Sequence, residues 1–261
     1  LQVETIEKAI RAETALVAIS HCSNVTGTIQ PIAAIGSITR SCGVPLLVDA
    51  AQSAGSMDLN VTAMQIDLLA LPGHKGLLGP QGTGALYVGE GIDLDPLLVG
   101  GTGTHSSLMD QPEELPERLE SGTLNLPGIA GLKAGVEYIL ETGLSTIRSK
   151  EILLVEMILD GMRAIPAITQ YGLQDAAMRG APVSFTMEGY EPSEIGFILD
   201  QKYDISVRTG LHCAPALHQA IGTYPSGTVR VSPGWFTTET DIESLLHALH
   251  AIATGASRGR Q

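Results

Sequence analysis

Lys75 sits in a glycine-rich stretch just past a short apolar run, Ile66-Asp67-Leu68-Leu69-Ala70-Leu71. The stretch holds Gly73, Gly76, Gly79, Gly82 and Gly84. Glycines let backbone crowd a ligand or adopt positive φ. A lysine at such a place can clamp phosphate or, if desolvated, condense with a carbonyl. It can equally be a solvated lysine in a turn. It is not a P-loop lysine, because the GxxxxGK[ST] spacing is absent and neither Ser nor Thr follows Lys75. The preceding segment, Val44-Pro45-Leu46-Leu47-Val48-Asp49, is a second buried-strand pattern, and it ends in an acid. Far along the chain stand a cysteine, Cys213, in Arg208-Thr209-Gly210-Leu211-His212-Cys213, and an arginine, Arg230, in Thr228-Val229-Arg230-Val231. Cations and a following helix N-terminus both favour a thiolate. Period two puts Arg230 on the polar face of its strand, opposite the two valines.

A carboxylate and a lysine at consecutive strand ends are what pyridoxal 5'-phosphate asks of a protein: an amine for its aldehyde and an acid facing the ring nitrogen. The ordered set VDAAQ, GHK, SHCSNVTGTIQPI, LESGTLN and VRTGLHCAP resembles the class V aminotransferase family. Within it, the set resembles the cysteine desulfurases and selenocysteine lyases, from about Thr14 to about Ala253. The resemblance implies a mostly parallel doubly wound α/β sheet with a smaller α+β domain. It implies a homodimer and L-cysteine or L-selenocysteine as substrate. It also implies delivery of sulfur to an acceptor protein, as in iron-sulfur cluster assembly.

It further implies roles for single residues. Lys75 holds the cofactor and Asp49 faces the pyridine nitrogen. Gln52 meets the phenolic oxygen, His74 the phosphate, and Thr123 of Gly122-Thr123 the phosphate of a neighbouring subunit. Asn24 positions ring and substrate, and Arg230 takes the substrate carboxylate. Cys213 attacks the substrate sulfur, with Arg208 and His212 in support. Without the resemblance, Asp49 also reads as a helix N-cap and Asn24 as an Asx turn. Likewise His74 reads as an exposed loop histidine, Thr123 as a helix-start threonine and Arg230 as an exposed strand arginine. Leu211, Pro215 and Leu217 predict a partly sheltered thiol on a loop too short to swing far.

Two departures matter. Pro72 stands where the family has Ser or Thr, removing a hydroxyl and an N–H from the phosphate site. The resemblance also covers only about the last two-thirds of the family pattern. The Gly/Thr-rich phosphate loop and the ring-stacking histidine would precede Leu1. The chain opens as a fragment or truncated reading frame would, which implies an exposed sheet edge, and the reading that competes with a desulfurase is a catalytically incomplete fragment acting as a dimerising or binding module.

The remaining sequence fits an α/β enzyme. The 261 residues are 44% hydrophobic and 16% charged, so disorder is not expected. A net charge of −13 argues against nucleic acid and anionic membranes. No apolar run is long enough to span a bilayer, and no signal-peptide pattern opens the chain, so the expected setting is cytoplasmic. Cys22, Cys42 and Cys213 form no disulfide framework, and neither CxxC nor HxxxH spacing points to a metal. Helices are expected over 3–13, 31–41, 129–140 and 144–165, and strands over 16–19, 44–49, 66–71 and 85–88. After them come short strands and helices over 183–187, 193–200, 205–208, 214–221, 228–232 and 240–252. The expected boundary lies at 140, giving a large domain over 1–140, a small one over 141–254, and a frayed tail over 255–261.

Overall fold

Short apolar runs that end in polar loops build the first sheet. The structure, a computed structural model, describes residues 2–255. Strands β1 (Val17–Ser20), β2 (Leu46–Asp49) and β3 (Leu68–Pro72) lie side by side and parallel, and β4 (Gly84–Val88) returns antiparallel along β3. The register sets Asp49 beside Ser20 on one flank and Ala70 on the other. Helix α1 (Val3–Ala9) packs against α2 (Ile32–Ser41). Helix α2 starts behind Pro31 and closes at Gly43, whose φ of 67° a residue with Cβ adopts at a cost. Leu46 and Val48 point from β2 into a core shared with Ile32, Ile35, Ile66 and Leu69. The β2-to-β3 crossover, residues 50–67, is built from turns rather than a helix.

Helix α3 (Leu126–Thr142) is capped by Asn125, whose side chain accepts from the Gly128 amide at 3.1 Å, and ends at Gly143 with φ 88°. Helix α4 (Leu144–Arg163) follows at once and covers the second sheet. That sheet is antiparallel throughout, in the order β5 (Ile168–Tyr171), β6 (Val183–Met187), β8 (Thr228–Val231), β7 (Arg208–Gly210). Helices α5 (Pro192–Tyr203) and α7 (Glu239–Ala253) complete its core around Phe185, Val229, Ile195 and Leu249. The six-residue α6 (Pro215–Ala220) follows the Cys213 turn. The architecture is therefore α/β with a mostly parallel first sheet, as expected. No helix among the described residues is long and apolar enough to cross a membrane.

Some element expectations need correction. Helix α1 stops at Ala9 rather than at residue 13, because a turn closes there with Thr14 Oγ1 accepting from the Arg11 amide at 2.9 Å. The strand expected over 205–208 begins only at Arg208. Asp204 turns left-handed at φ 55° and the Ile205 amide closes α5 on the Leu199 carbonyl, so 205 belongs to the helix end. Strand β5 was not anticipated. The stretch over 101–123 holds two short 3₁₀ turns and little else. Of the expected tail, 256–261 lies outside the described residues.

Candidate functional site

Asp49 ends β2, and its carboxylate is fixed by two donors: the Ala51 amide at 2.8 Å and the Ser20 hydroxyl at 3.3 Å. Lys75 lies on the turn after β3. The two turns touch backbone to backbone, since a Cβ on Gly55, at φ +91°, would overlap the Gly76 carbonyl. That close approach brings Gln52 and Lys75 together, and both line the same two cavities. The first cavity, of about 510 Å³, is lined by Ser20, Asn24, Asp49, Gln52, Lys75 and Cys213, among others. The second, of about 330 Å³, lies beyond Gln52 and Lys75 and reaches Glu151, Arg230 and Trp235.

The other side of the first cavity comes from the second sheet. Cys213 sits between β7 and α6 with φ 62°, right after His212 with φ 49°. Two successive left-handed residues turn the histidine inward and the cysteine outward. His212 is 3% exposed, whereas Cys213 is exposed. The expected sheltered thiol is therefore not found, because the backbone of the turn rather than its apolar neighbours decides where the sulfur points. Arg208 Nη2 donates to Cys213 Sγ at 3.5 Å. Burial, with help from Arg230, pushes the His212 imidazole down to about 4, so it is neutral. Its Nε2 lies 3.1 Å from the Thr228 carbonyl, which only accepts, and 3.0 Å from the Thr228 hydroxyl; Nε2 therefore carries the proton.

Asn24 joins the two sheets. Its Nδ2 donates to the His212 carbonyl at 2.6 Å, and its own carbonyl accepts from Arg230 Nη1 at 2.9 Å. Thr228 and Arg230, two apart on β8, thus close a circuit that runs Thr228–His212–Asn24–Arg230. Arg230 Nε is buried without a hydrogen-bond partner, and the residue lines the second cavity. Burial and the nearby Arg208 lower the Arg230 guanidinium from its ordinary value, while the Cys213 sulfur opposes that shift. A chain of net charge −13 so sets Lys75 and Arg230 on the wall of the second cavity, a field suited to anionic ligands.

Two expected residues lie elsewhere. His74 is exposed and faces a third hollow with Tyr138 and Phe236. Thr123 is exposed and lines neither cavity. Pro72 is the last residue of β3, paired with Gly84. A pyridine ring with an aldehyde fits the first cavity, where a fixed carboxylate, an amide and an amine converge.

Sequence reading missed a polar knot behind this site. Arg148 pairs with Glu151 at 2.6 Å and donates to the Ala177 and Arg179 carbonyls at 3.0 and 2.8 Å. Arg179, fully buried, donates to the Leu173 and Pro182 carbonyls. Glu151 also accepts from Ser56, just past Gln52; burial raises its carboxyl, and Arg148 opposes that rise. The one signal in the sequence was the i, i+3 spacing of Arg148 and Glu151 on α4.

The family model described as aminotransferase class-V matches residues 1–245. A protein named "Probable cysteine desulfurase" from Methanothermobacter thermautotrophicus is 37% identical over 254 residues, 95% of this chain and 63% of that protein. A "Cysteine desulfurase" from Shigella flexneri is 34% identical over 257 residues, 97% of this chain and 62% of that one. The solved apo structure of cysteine desulfurase from Thermococcus onnurineus NA1 matches with a TM-score of 0.89 at 36% identity, covering 98% of this chain and 64% of that one. The chain thus spans somewhat less than two-thirds of the length of these relatives.

Proposed function

Because the chain belongs to the class V aminotransferase family, we propose that it serves as the catalytic body of a cysteine desulfurase that uses pyridoxal phosphate. One observation carries this reading: Asp49 and Lys75 from the first sheet and Cys213 from the second line one cavity. Pyridoxal phosphate, when bound, supplies an electron sink for the substrate's α-carbon. Asp49, held by Ala51 and Ser20, offers its carboxylate on the cavity wall for a ring nitrogen. Lys75 offers an amine, and Gln52 a hydrogen-bonding amide beside it. Arg230 offers its unpartnered edge to the substrate carboxylate. Cys213 takes the sulfur. Its own sulfur bonds to that of L-cysteine while the carbon–sulfur bond breaks. The electron pair of that bond and one proton go to the carbon, giving L-alanine and a persulfide on Cys213. Arg208 faces the sulfur through this exchange.

The exposure of Cys213 suits hand-over to an acceptor protein, and the exposure of Thr123 suits contact with the cavity of a second copy. The domain division proposed is a cofactor-binding part up to residue 140 and a small part after it.

The test uses the purified chain with added pyridoxal phosphate. A visible absorbance band that Lys75→Ala abolishes is expected. So is L-alanine formation from L-cysteine that Cys213→Ala abolishes. Alanine formation unchanged in Cys213→Ala removes the persulfide step, and absence of any band removes the cofactor. L-selenocysteine offered in parallel separates a selenocysteine lyase, which would spare L-cysteine.

A further inference from the structure

The Cys213 turn keeps two successive non-glycine residues in the left-handed region, a conformation that persists only when the surroundings enforce it. Arg208 does not supply that enforcement, since it touches the sulfur from an exposed position. The enforcing contacts are on the buried side. His212 reaches Thr228 with Nε2 and receives Asn24 on its carbonyl. The Thr228 bond holds only while the His212 ring keeps its place, and the group behind that ring is His218. The two imidazole centroids are 5.6 Å apart at 48°. His218 is fully buried on α6, five residues past Cys213, and it also lies against the carbonyl of Leu211. Its Nδ1 meets Thr223 Oγ1 at 2.6 Å, and the Thr223 amide donates back to the His218 carbonyl at 2.9 Å. A helix as short as α6 is a poor anchor alone, so this tie to Thr223 fixes where the His218 ring stands.

We propose that His218 is a positioning residue: its ring, wedged behind His212, holds the strained turn that aims Cys213 into the cavity. It does not line the cavity, and it acts through His212 and the Leu211 carbonyl at the start of the turn. The importance of Cys213 rests on the functional reading above, but the geometry of the turn does not, and the test reads the thiol directly.

Three variants separate the ring from its hydrogen bond. His218→Asn keeps a partner for Thr223 and removes the ring. His218→Phe keeps a ring and abandons Thr223. Thr223→Ala removes the same bond from its other end. The readout is the rate at which iodoacetamide alkylates Cys213 in the full chain, followed by peptide mass spectrometry. Exposed Cys42 in the same sample serves as the internal reference. Melting temperature is measured alongside. In His218→Asn, Cys213 alkylation relative to Cys42 should change by about five-fold or more as the turn relaxes out of its strained state. In His218→Phe and Thr223→Ala it should stay within about two-fold, although both melt lower because a buried polar group loses its partner. If Cys213 reactivity instead follows melting temperature across the three variants, or is unmoved in His218→Asn, His218 is merely a core residue and the proposal fails. Both outcomes are read without substrate or cofactor, so a failed desulfurase assay does not mask either.

Discussion

In the β5–β8 half of the molecule the candidate residues ride on a strand and a strained turn; in the β1–β4 half they stand at a strand end and on the turn after the next strand. Arg230 is built into β8 between Val229 and Val231, which are buried under α5 and α7. Cys213 hangs on a turn braced by buried histidines. Asp49 at the exposed end of β2 and Lys75 on the turn after β3 stand over a small core cluster around Leu46 and Val48 instead. Strand β4, at the edge of that sheet, is exposed over most of its length. On the proposed function, the difference matches what each side must do. A nucleophile and a carboxylate fork work only in one orientation, and packing supplies that orientation. A lysine that must bind, release and rebind gains from loops that yield.

The sharpest way to break this comparison is through the cores. Phe185→Ala, at a fully buried position in the β5–β8 core, should cost about 3–5 kcal/mol. Urea unfolding measures it. If the second half is the rigid one, the loss should appear as an early change in the alkylation rate of Cys213 relative to Cys42 while absorbance changes on adding pyridoxal phosphate persist. Simultaneous loss of both would show that the halves unfold as one unit and that the contrast in rigidity is illusory.

Acid tests the bracing at the turn. The folded-state value of His212, about 4, lies below its ordinary 6.5. The unfolded chain therefore binds the extra proton, and stability present above pH 6.5 is lost as pH falls toward 4. The contribution is on the order of 2–3 kcal/mol. His212→Gln removes the titrating group, so its urea midpoint should fall less than the wild-type midpoint between pH 7 and 4.5. Equal falls would mean that His212 is not the group the fold keeps neutral. Burial shifts His21 and His218 in the same direction, so some acid sensitivity should remain in the variant.

The smallest effect is expected on the other side. Asp49→Ala removes the acceptor for the Ala51 amide at an exposed loop start and should cost about 1 kcal/mol or less in stability. The same variant should weaken the absorbance band with pyridoxal phosphate far more than that loss explains. A stability loss as large as that of Phe185→Ala would place Asp49 in the framework instead and erase the difference between the halves.

Much of this was legible in the chain because it rests on local rules. The apolar runs ending at Asp49 and Leu71, the glycines between Lys75 and Gly84, and the alternation around Arg230 are readable without tertiary contacts. So were the nature of the reactive groups and the α/β class. Strand β5 was not, since four half-exposed residues carry little pattern. The outward turn of Cys213 was not, because left-handed backbone at His212 and Cys213 is imposed by Asn24, Thr228 and His218 and contradicts the preference of both residues. Nor was the Arg148–Glu151–Arg179 knot, whose partners are backbone carbonyls and amides that every residue carries. Residue identity and local pattern set which chemical groups are present and on which kind of element each one rides. Only the tertiary structure decided that a cysteine and a lysine 138 positions apart line one cavity while His74 and Thr123 do not. Side-chain type is written residue by residue, but convergence depends on how two sheets are tied together, here through Asn24, and no local pattern encodes that.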